Sequence, residues 1–493
     1  MTQLRETLEI PASELHGRAQ QALASGSRLA LIAAHDDGDR LRVVYVFTSG
    51  PPDRRLELTV QLDPHDPRVP TLSDLSFPAS RFERQMHDTF GVIPEGHPFL
   101  RPLVRHSHWP ETWYPMRRDA GPSPAMAHDG VSYPFIEVQG AGVYEIPVGP
   151  VHAGLIEPGH FRFSVVGETI LKMTARLWFV HRGVERMFQG VDVNAGVQIA
   201  ERVSGDTTVG HGLAYAMAVE EALGLDTPED ARVIRSVLLE LERLYNHVGD
   251  VGALCSDVSF GVAHARAMVI REQLLRLNES VTGHRLLRGS IRPGLTSVRR
   301  LPTTEELDDI ASEFSHLMEF ISSNSTVTDR FEGTAVLLAK DAEAIGTLGV
   351  VARASGHLVD ARHSQPFVSG GSAFQPITQS QGDVLARFTQ RADEVKNSLD
   401  VIRGHVEGSP RLESTSVLSQ KGPGSGLGIV EGWRGTIVHR VELDATGVVS
   451  RCCIADPSFF NWPALATSLT DTIVPDFPLV NKSFNLSYAG NDL

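Results

Sequence analysis

An α+β fold is predicted for this chain: a small mixed N-terminal unit followed by a larger, mainly helical one with small β additions. Three patterns predict it. Up to about residue 118, one helical stretch is followed by three short apolar, β-branched runs. A segment rich in Pro, Gly and small residues then interrupts the chain. Beyond Asp230, the apolar spacing switches to the i, i+3, i+4, i+7 period of a helix with one buried face.

The elements follow in order. Pro11 and Ser13 open a helix that runs through Ala24 and is stopped by Gly26. Leu29–Ala34, Leu41–Thr48 and Leu56–Leu62 read as strands, separated by Asp/Gly-rich and Pro/Asp-rich turns. Ser80-Arg81-Phe82-Glu83 has capping-box spacing, which predicts a helix starting near Ser80. Residues 119–131, which include DAGPSPAMAHDG, read as a linker. The chain therefore divides into 1–118, 119–131 and 132–493.

The second unit opens with β-like segments, Tyr144–Val148 and Phe161–Val166. In Asp230–Cys255, Ile234, Val237, Leu241, Leu244, Val248 and Val251 share a face, and Glu240, Glu242, Arg243 and Asp250 occupy the others. Ala263 to Thr282, Leu301 to Asn324 and Gln379 to Val406 also read as helices. Residues 410–455 return to β-like runs and Gly-rich turns. Gly422-x-Gly424-x-Gly426-x-Gly428 lacks the strand-to-helix setting of a phosphate loop and reads as a flexible turn. There is no internal repeat and no nicotinamide-binding Rossmann fingerprint.

Composition narrows the function classes. A net charge of −15 disfavours nucleic acid and anionic lipid as nonspecific partners. Three cysteines in 493 residues argue for a reducing compartment, not a disulfide scaffold. No run of about 18 apolar residues exists to span a bilayer. The start, Met1-Thr2-Gln3-Leu4, lacks a signal-peptide apolar core. The expected location is cytoplasmic, with any membrane attachment made through partners.

Two loops carry the strongest functional signal. Glu201-Arg202-Val203-Ser204-Gly205-Asp206-Thr207 stands mid-chain, and Asn485-Leu486-Ser487-Tyr488-Ala489-Gly490-Asn491-Asp492-Leu493 closes it. Both resemble the metal-binding loops of the large subunit of membrane-bound nickel–iron hydrogenases of the formate hydrogenlyase type. Those loops read Glu-Arg-x-Cys-Gly-x-Cys and Asp-Pro-Cys-x-x-Cys, and their four thiolates hold the two metals. At the four positions this chain has Ser204, Thr207, Ser487 and Gly490. Hydroxyls are neutral, hard, weak donors and glycine is none, whereas deprotonated thiolates select these metals. Cys255 stands alone, and Cys452 and Cys453 are adjacent, so their side chains would face opposite sides of a strand. A nickel–iron centre is therefore not expected.

Glu83-Arg84-Gln85-Met86-His87-Asp88-Thr89-Phe90-Gly91, with Gly96-His97-Pro98-Phe99-Leu100-Arg101 and Trp109-Pro110, is a second signature. It resembles the peripheral-arm subunit of respiratory complex I beside the quinone-site subunit. The resemblance implies a docking surface around His97 and Arg101. From residue 132 onward the chain is similar to the hydrogenase large subunit and its quinone-site counterpart. Fusion of the two modules is typical of the formate hydrogenlyase group. The resemblance also aligns the chain's last residues with the end of trimmed, mature relatives, from which a protein that bypasses nickel insertion is expected.

The third signature is Gly149-Pro150-Val151-His152-Ala153-Gly154-Leu155-Ile156-Glu157-Pro158-Gly159-His160-Phe161-Arg162. In hydrogenase relatives the matching Glu passes protons beside the metal; in complex I relatives a His of this loop meets the quinone headgroup. A solvated turn is the plain structural alternative. Glu431-Gly432-Trp433-Arg434-Gly435 resembles Glu-Ala-Pro-Arg-Gly, whose Arg overhangs the metal, but Trp433 replaces the proline. An Arg left facing a lost anionic cluster would be buried unpaired at a cost of several kcal/mol. Asp206 or Glu157 is the expected replacement charge, within about 8 Å of Arg434. Alternatively Asp206 caps the helix near Val209–Leu223. The quinone-binding Tyr of complex I aligns with Gly205, so a quinone would rely on His160, His152 and Tyr488.

The resemblance thus implies Glu157, Arg434, His160 and Asp206 as catalytic candidates, and His152 and Tyr488 as cofactor-binding ones. His181, Arg182 and Glu185 are expected to lead toward an iron–sulfur small subunit, which would hold the clusters. Integral membrane subunits are the other expected partners, placing the chain peripherally on the cytoplasmic face of the cell membrane. The expected function is proton and electron coupling, or reduction of a quinone-type acceptor. The alternatives are a non-catalytic scaffold or a hydrogenase with atypical ligands.

Overall fold

The computed structural model describes residues 4–127, 133–369, 374–415 and 422–493. The N-terminal unit is a four-stranded sheet. Leu4–Glu9 runs parallel to Arg54–Leu62, which pairs antiparallel with Leu41–Ser49, and that in turn with Arg28–Asp36. The helices Ala12–Ala24 and Phe77–Phe90 accompany it. The second helix begins before Ser80: Ser76 is its N-cap and Pro78 lies in its first turn. Proline suits that turn because its missing N–H would have had no partner there. Glu83, expected to close a capping box, instead accepts from Leu72 N–H at 2.6 Å and Thr71 Oγ1 at 2.6 Å. Residues 119–127 carry no helix or strand; the rest of the expected linker lies outside the described residues.

In the larger unit, Val143–Val148, His160–Val166 and Thr169–Arg176 form an antiparallel sheet. The turn between its first two strands holds the Glu157 loop. The expected helices are Glu229–Asp257, Gly261–Thr282, Thr304–Ser322 and Val384–Glu407. Glu229–Asp257 differs from an ordinary one-faced helix. Its charged residues Glu240, Glu242, Arg243 and Asp250 are buried along with the apolar face, each in a polar contact.

The Gly-rich run expected as a turn is instead a strand, Gly424–Gly432, paired with Gly435–Leu443 and then Val449–Ala455. Its glycines admit a helix backbone. A Cβ at Gly424, Gly426 or Gly428 would lie 2.1, 2.0 or 1.8 Å from the carbonyl oxygens of Ala222, Ala218 and Ala214. Every second residue of the strand thus faces every fourth residue of the helix Thr208–Leu223. This contact places the start of that helix, and the Ser204–Thr207 loop before it, beside Trp433 and Arg434.

Candidate functional site

The mid-chain loop and the C-terminal tail meet directly. Ser204 Oγ lies 2.8 Å from Ser487 Oγ, and it also donates to Asp206 Oδ1 at 2.9 Å. Thr207 Oγ1 donates to the same carboxylate oxygen at 3.0 Å. Ser487 caps the final helix, Tyr488–Asp492, by accepting from Gly490 N–H at 2.8 Å. Its own N–H donates to Ser458 Oγ at 2.9 Å.

Arg434 and Asp206 form a two-pronged ion pair, with Nη1 to Oδ1 at 2.6 Å and Nη2 to Oδ2 at 2.8 Å. Arg434 Nε donates to the Asn485 carbonyl at 2.5 Å, so one guanidinium ties both loops together. The Arg434 side chain is 6 % exposed and that of Asp206 40 % exposed. Burial by itself would raise the Asp206 carboxyl. The Arg434 charge and the hydroxyl donors outweigh it and hold the group at about 2.

Asp206 does not cap the following helix. Glu242, from the Glu229–Asp257 helix, accepts from Val209 N–H at 2.6 Å and Gly210 N–H at 3.0 Å. Desolvation still dominates Glu242 and pushes its carboxyl up to about 8. Trp433, the departure from the proline of the motif, donates Nε1–H to the Asp206 carbonyl at 3.0 Å and to Thr207 Oγ1 at 3.1 Å. The Arg434 guanidinium stacks over the same indole, 3.8 Å from its centroid. The tryptophan therefore holds the altered loop in place.

Beneath this seam runs a buried chain of titratable groups that sequence reasoning missed. Asp456 Oδ2 lies 3.0 Å from His211 Nε2, His211 Nδ1 lies 2.9 Å from His439 Nε2, and Cys452 Sγ lies 3.8 Å from His439 Nδ1. The only sequence signal was that His211 stands four residues after Thr207, on the helix that follows the loop.

The other expected residues separate. Glu157 Oε2 accepts from Ala489 N–H at 3.0 Å, so it meets the C-terminal tail and leaves Arg434 to Asp206. His152 Nε2 lies 2.7 Å from the Gly159 carbonyl and His160 Nδ1 3.2 Å from the Gly149 carbonyl. Both imidazoles thus brace their own loop. Tyr488 is buried against Trp462, with ring centroids 4.9 Å apart. His181, Arg182 and Glu185 do not form one network. His181 bonds the Asp492 carbonyl, Arg182 the Leu493 carbonyl through its N–H, and Glu185 pairs with Arg451 at 2.9 Å.

The four former ligand positions do not fit a binuclear metal group. Three are hydroxyls already bonded to one another or to Asp206. At Gly490 an added Cβ would lie 2.6 Å from Asp456 Oδ2. Soft-metal binding needs thiolate charge that these donors lack. Among the described residues, no three His, Cys, Asp or Glu side chains gather at metal-binding spacing.

Comparison with known proteins agrees with this architecture. Residues 8–124 match the family described as respiratory-chain NADH dehydrogenase, 30 Kd subunit. Residues 257–421 match the 49 Kd subunit family, and residues 182–251 the nickel-dependent hydrogenase family. Formate hydrogenlyase subunit 5 of Escherichia coli is 30% identical over 452 residues, 89% of this chain and 79% of that protein.

The chain belongs to the formate hydrogenlyase family of hydrogenase large subunits.

A second member, hydrogenase-4 component G of the same organism, is 32% identical over 83% of this chain and 73% of its own length. A solved structure, from the membrane-bound sulfane sulfur reductase, an archaeal respiratory membrane complex, aligns with TM-score 0.63 and 25% identity. It covers 71% of this chain and 99% of its own. Within this formate hydrogenlyase-type family, both modules of the fusion are thus present. Among the described residues, no helix is long and apolar enough to cross a membrane.

Proposed function

We propose that this chain is the large subunit of a membrane-attached, multi-subunit oxidoreductase in which an ion pair has replaced the nickel–iron centre. The observation that carries this reading is the Asp206–Arg434 pair, which sets a carboxylate between two former ligand positions. Asp206 remains 40 % exposed, so the pair is reachable while its guanidinium is buried. Proton handling is assigned to Glu157, which bonds the C-terminal tail, while Asp206, held ionised by Arg434, supplies the fixed negative charge of the site. His160, on its exposed loop, is the group left to meet a quinone-type acceptor. Val151, Leu155 and Ile156 of that loop are exposed apolar residues, suited to contact with an iron–sulfur small subunit or integral membrane subunits. The site would lie at the cytoplasmic face of the membrane.

A scaffold role is the second reading, and the Ser204–Ser487 contact favours it, because that hydrogen bond closes the seam where the metals lie in relatives. One experiment separates the readings. The purified complex is assayed against a panel of quinones, with nickel measured on the same sample. Quinone reduction that falls at least tenfold in Asp206→Asn or Glu157→Gln, without nickel, is expected. Stoichiometric nickel overturns the proposal, and an intact complex with no turnover against any acceptor leaves the scaffold.

A further inference from the structure

Most buried arginines in this chain have a carboxylate. Arg235 pairs with Glu220, Arg353 with Glu394 and Glu431, Arg391 with Asp250, and Arg440 with Glu57. Arg387, bonded to Ser483 and to the carbonyls of Gly382 and Ala335, departs from the pattern, and so does one group of cations. A cavity of about 380 Å³ between the Phe77–Phe90 helix and the Thr169–Arg176 strand is lined by Arg81, Arg84, Arg101, Lys172 and Arg176, together with His97. Among the described residues, no Asp or Glu lines it, and none of these five cations makes a salt bridge.

Their donors are spent on neutral groups or on nothing. Arg84 donates to the carbonyls of Arg101 and Pro102, and Arg176 to those of Leu103 and Arg105. Arg81 reaches Asn491 Oδ1 at 3.1 Å. Among the described residues, the Nε atoms of Arg81 and Arg101 are buried without a partner. The nearest acids are committed elsewhere. Asp88 accepts three backbone N–H groups from Leu103, Val104 and Arg105, and Asp492 accepts from Val180 N–H and Asn491. Burial and mutual repulsion depress Arg81 to about 9 and Arg176 to about 10.

Aromatic faces offset part of this charge. Arg81 lies 4.6 Å from the Phe459 centroid, Arg176 4.5 Å from Tyr133, and Arg101 4.7 Å from Phe99. Such faces are weaker partners than a carboxylate. The lining also holds the apolar Met173, Leu177, Trp178 and Trp462, and Phe77, Phe99 and Ile136 of the same lining are exposed. In a chain of net charge −15, five cations gathered with apolar and aromatic side chains, and with no acid among the described lining residues, mark a place shaped for a ligand.

We infer that this cavity binds a small anionic amphiphile, with a phosphate or carboxylate head on the arginines and an apolar body on the aromatic wall. The head would accept from the two unpartnered Nε–H groups, and the planar guanidiniums suit an oxyanion. The volume is that of a small-molecule site.

The test is calorimetric titration of the full chain with three probes: octyl phosphate, inorganic phosphate and octyltrimethylammonium. Octyl phosphate should bind at least tenfold more tightly than inorganic phosphate, and octyltrimethylammonium should not bind. Arg81→Gln should weaken octyl phosphate at least tenfold. Arg81 also braces the C-terminal tail, so Lys172→Gln, which removes a charge whose side chain has no hydrogen bond among the described residues, serves as the second variant and should weaken it at least threefold. Equal binding of the cationic probe, equal affinity for the two phosphates, or no change in Lys172→Gln overturns the inference. So does tenfold tighter binding of a synthetic Asp/Glu- and Phe-rich peptide, which would assign the cavity to a protein partner.

Discussion

Ser204 Oγ and Ser487 Oγ, residues 283 positions apart in sequence, sit 2.8 Å from each other across the seam between the mid-chain loop and the C-terminal tail. The two loops hold each other, with the Arg434–Asp206 pair beside the contact. The two serines close the seam, while the Asp206 carboxylate beside them stays partly exposed.

Restoring the cysteines will not restore the centre. Gly490 abuts Asp456, and even one added methyl group would meet its carboxylate at 2.6 Å. Gly490→Ala should cost about 2 kcal/mol through overpacking, read from urea unfolding midpoints. A chain carrying cysteines at all four positions should be less stable still and take up no stoichiometric nickel by elemental analysis.

The Asp206–Arg434 pair should be asymmetric. Asp206→Ala strands a buried guanidinium and should cost about 3 kcal/mol, whereas Arg434→Met leaves a carboxylate that water can reach and should cost about 1 kcal/mol. The folded Asp206 carboxyl, at about 2, lies below its unfolded value of 3.8. Its contribution is therefore complete above about pH 4 and lost as pH falls toward 2. Thermal unfolding between pH 2 and 5 should show that acid limb in the wild type and a shallower one in Asp206→Ala.

Glu242 works in the opposite sense. Its folded carboxyl, at about 8, lies above the ordinary 4.5, so the folded state holds a proton that the unfolded chain has released. Stability should fall as pH rises from about 5 to 8. Glu242→Gln should remove that slope whatever its effect on absolute stability. Equal slopes for wild type and variant would show that Glu242 is already ionised.

Gly426 and Gly404 should respond oppositely to alanine. At Gly426 the new Cβ would lie 2.0 Å from the Ala218 carbonyl, helix backbone that cannot move aside, and the variant should lose about 3 kcal/mol. Gly404 is an exposed interior position of the Val384–Glu407 helix with nothing within 4 Å. There alanine should stabilise by about 0.5–1 kcal/mol. Chemical denaturation of both variants checks the pair.

Periodicity located most of the long elements. Leu41–Ser49 and Glu229–Asp257 differ from their expected limits by no more than two residues at either end, because burial imposes its period locally. The Ser76 cap was hidden behind a better-looking capping box at Ser80, since local spacing could not show that Glu83 reaches out to Thr71 and Leu72. The glycine run was misread for the same reason. A turn and a strand that must admit a helix backbone both demand glycine, and only the partner helix distinguishes them. Asp206 as the counter-charge of Arg434 was legible, because an unpaired buried arginine demands a nearby acid.

Residue identity alone set the donor chemistry at Ser204, Thr207, Ser487 and Gly490, since whether a side chain can be a thiolate depends on nothing around it. Folding in three dimensions chose the partners. It gave Arg434 to Asp206 and not Glu157, made Glu242 the cap of a neighbouring helix, and gathered five cations around one cavity with no acid among its described lining residues. Those outcomes depend on which distant segments meet, and charge pairing, desolvation and close approach act through distance in space rather than separation along the chain.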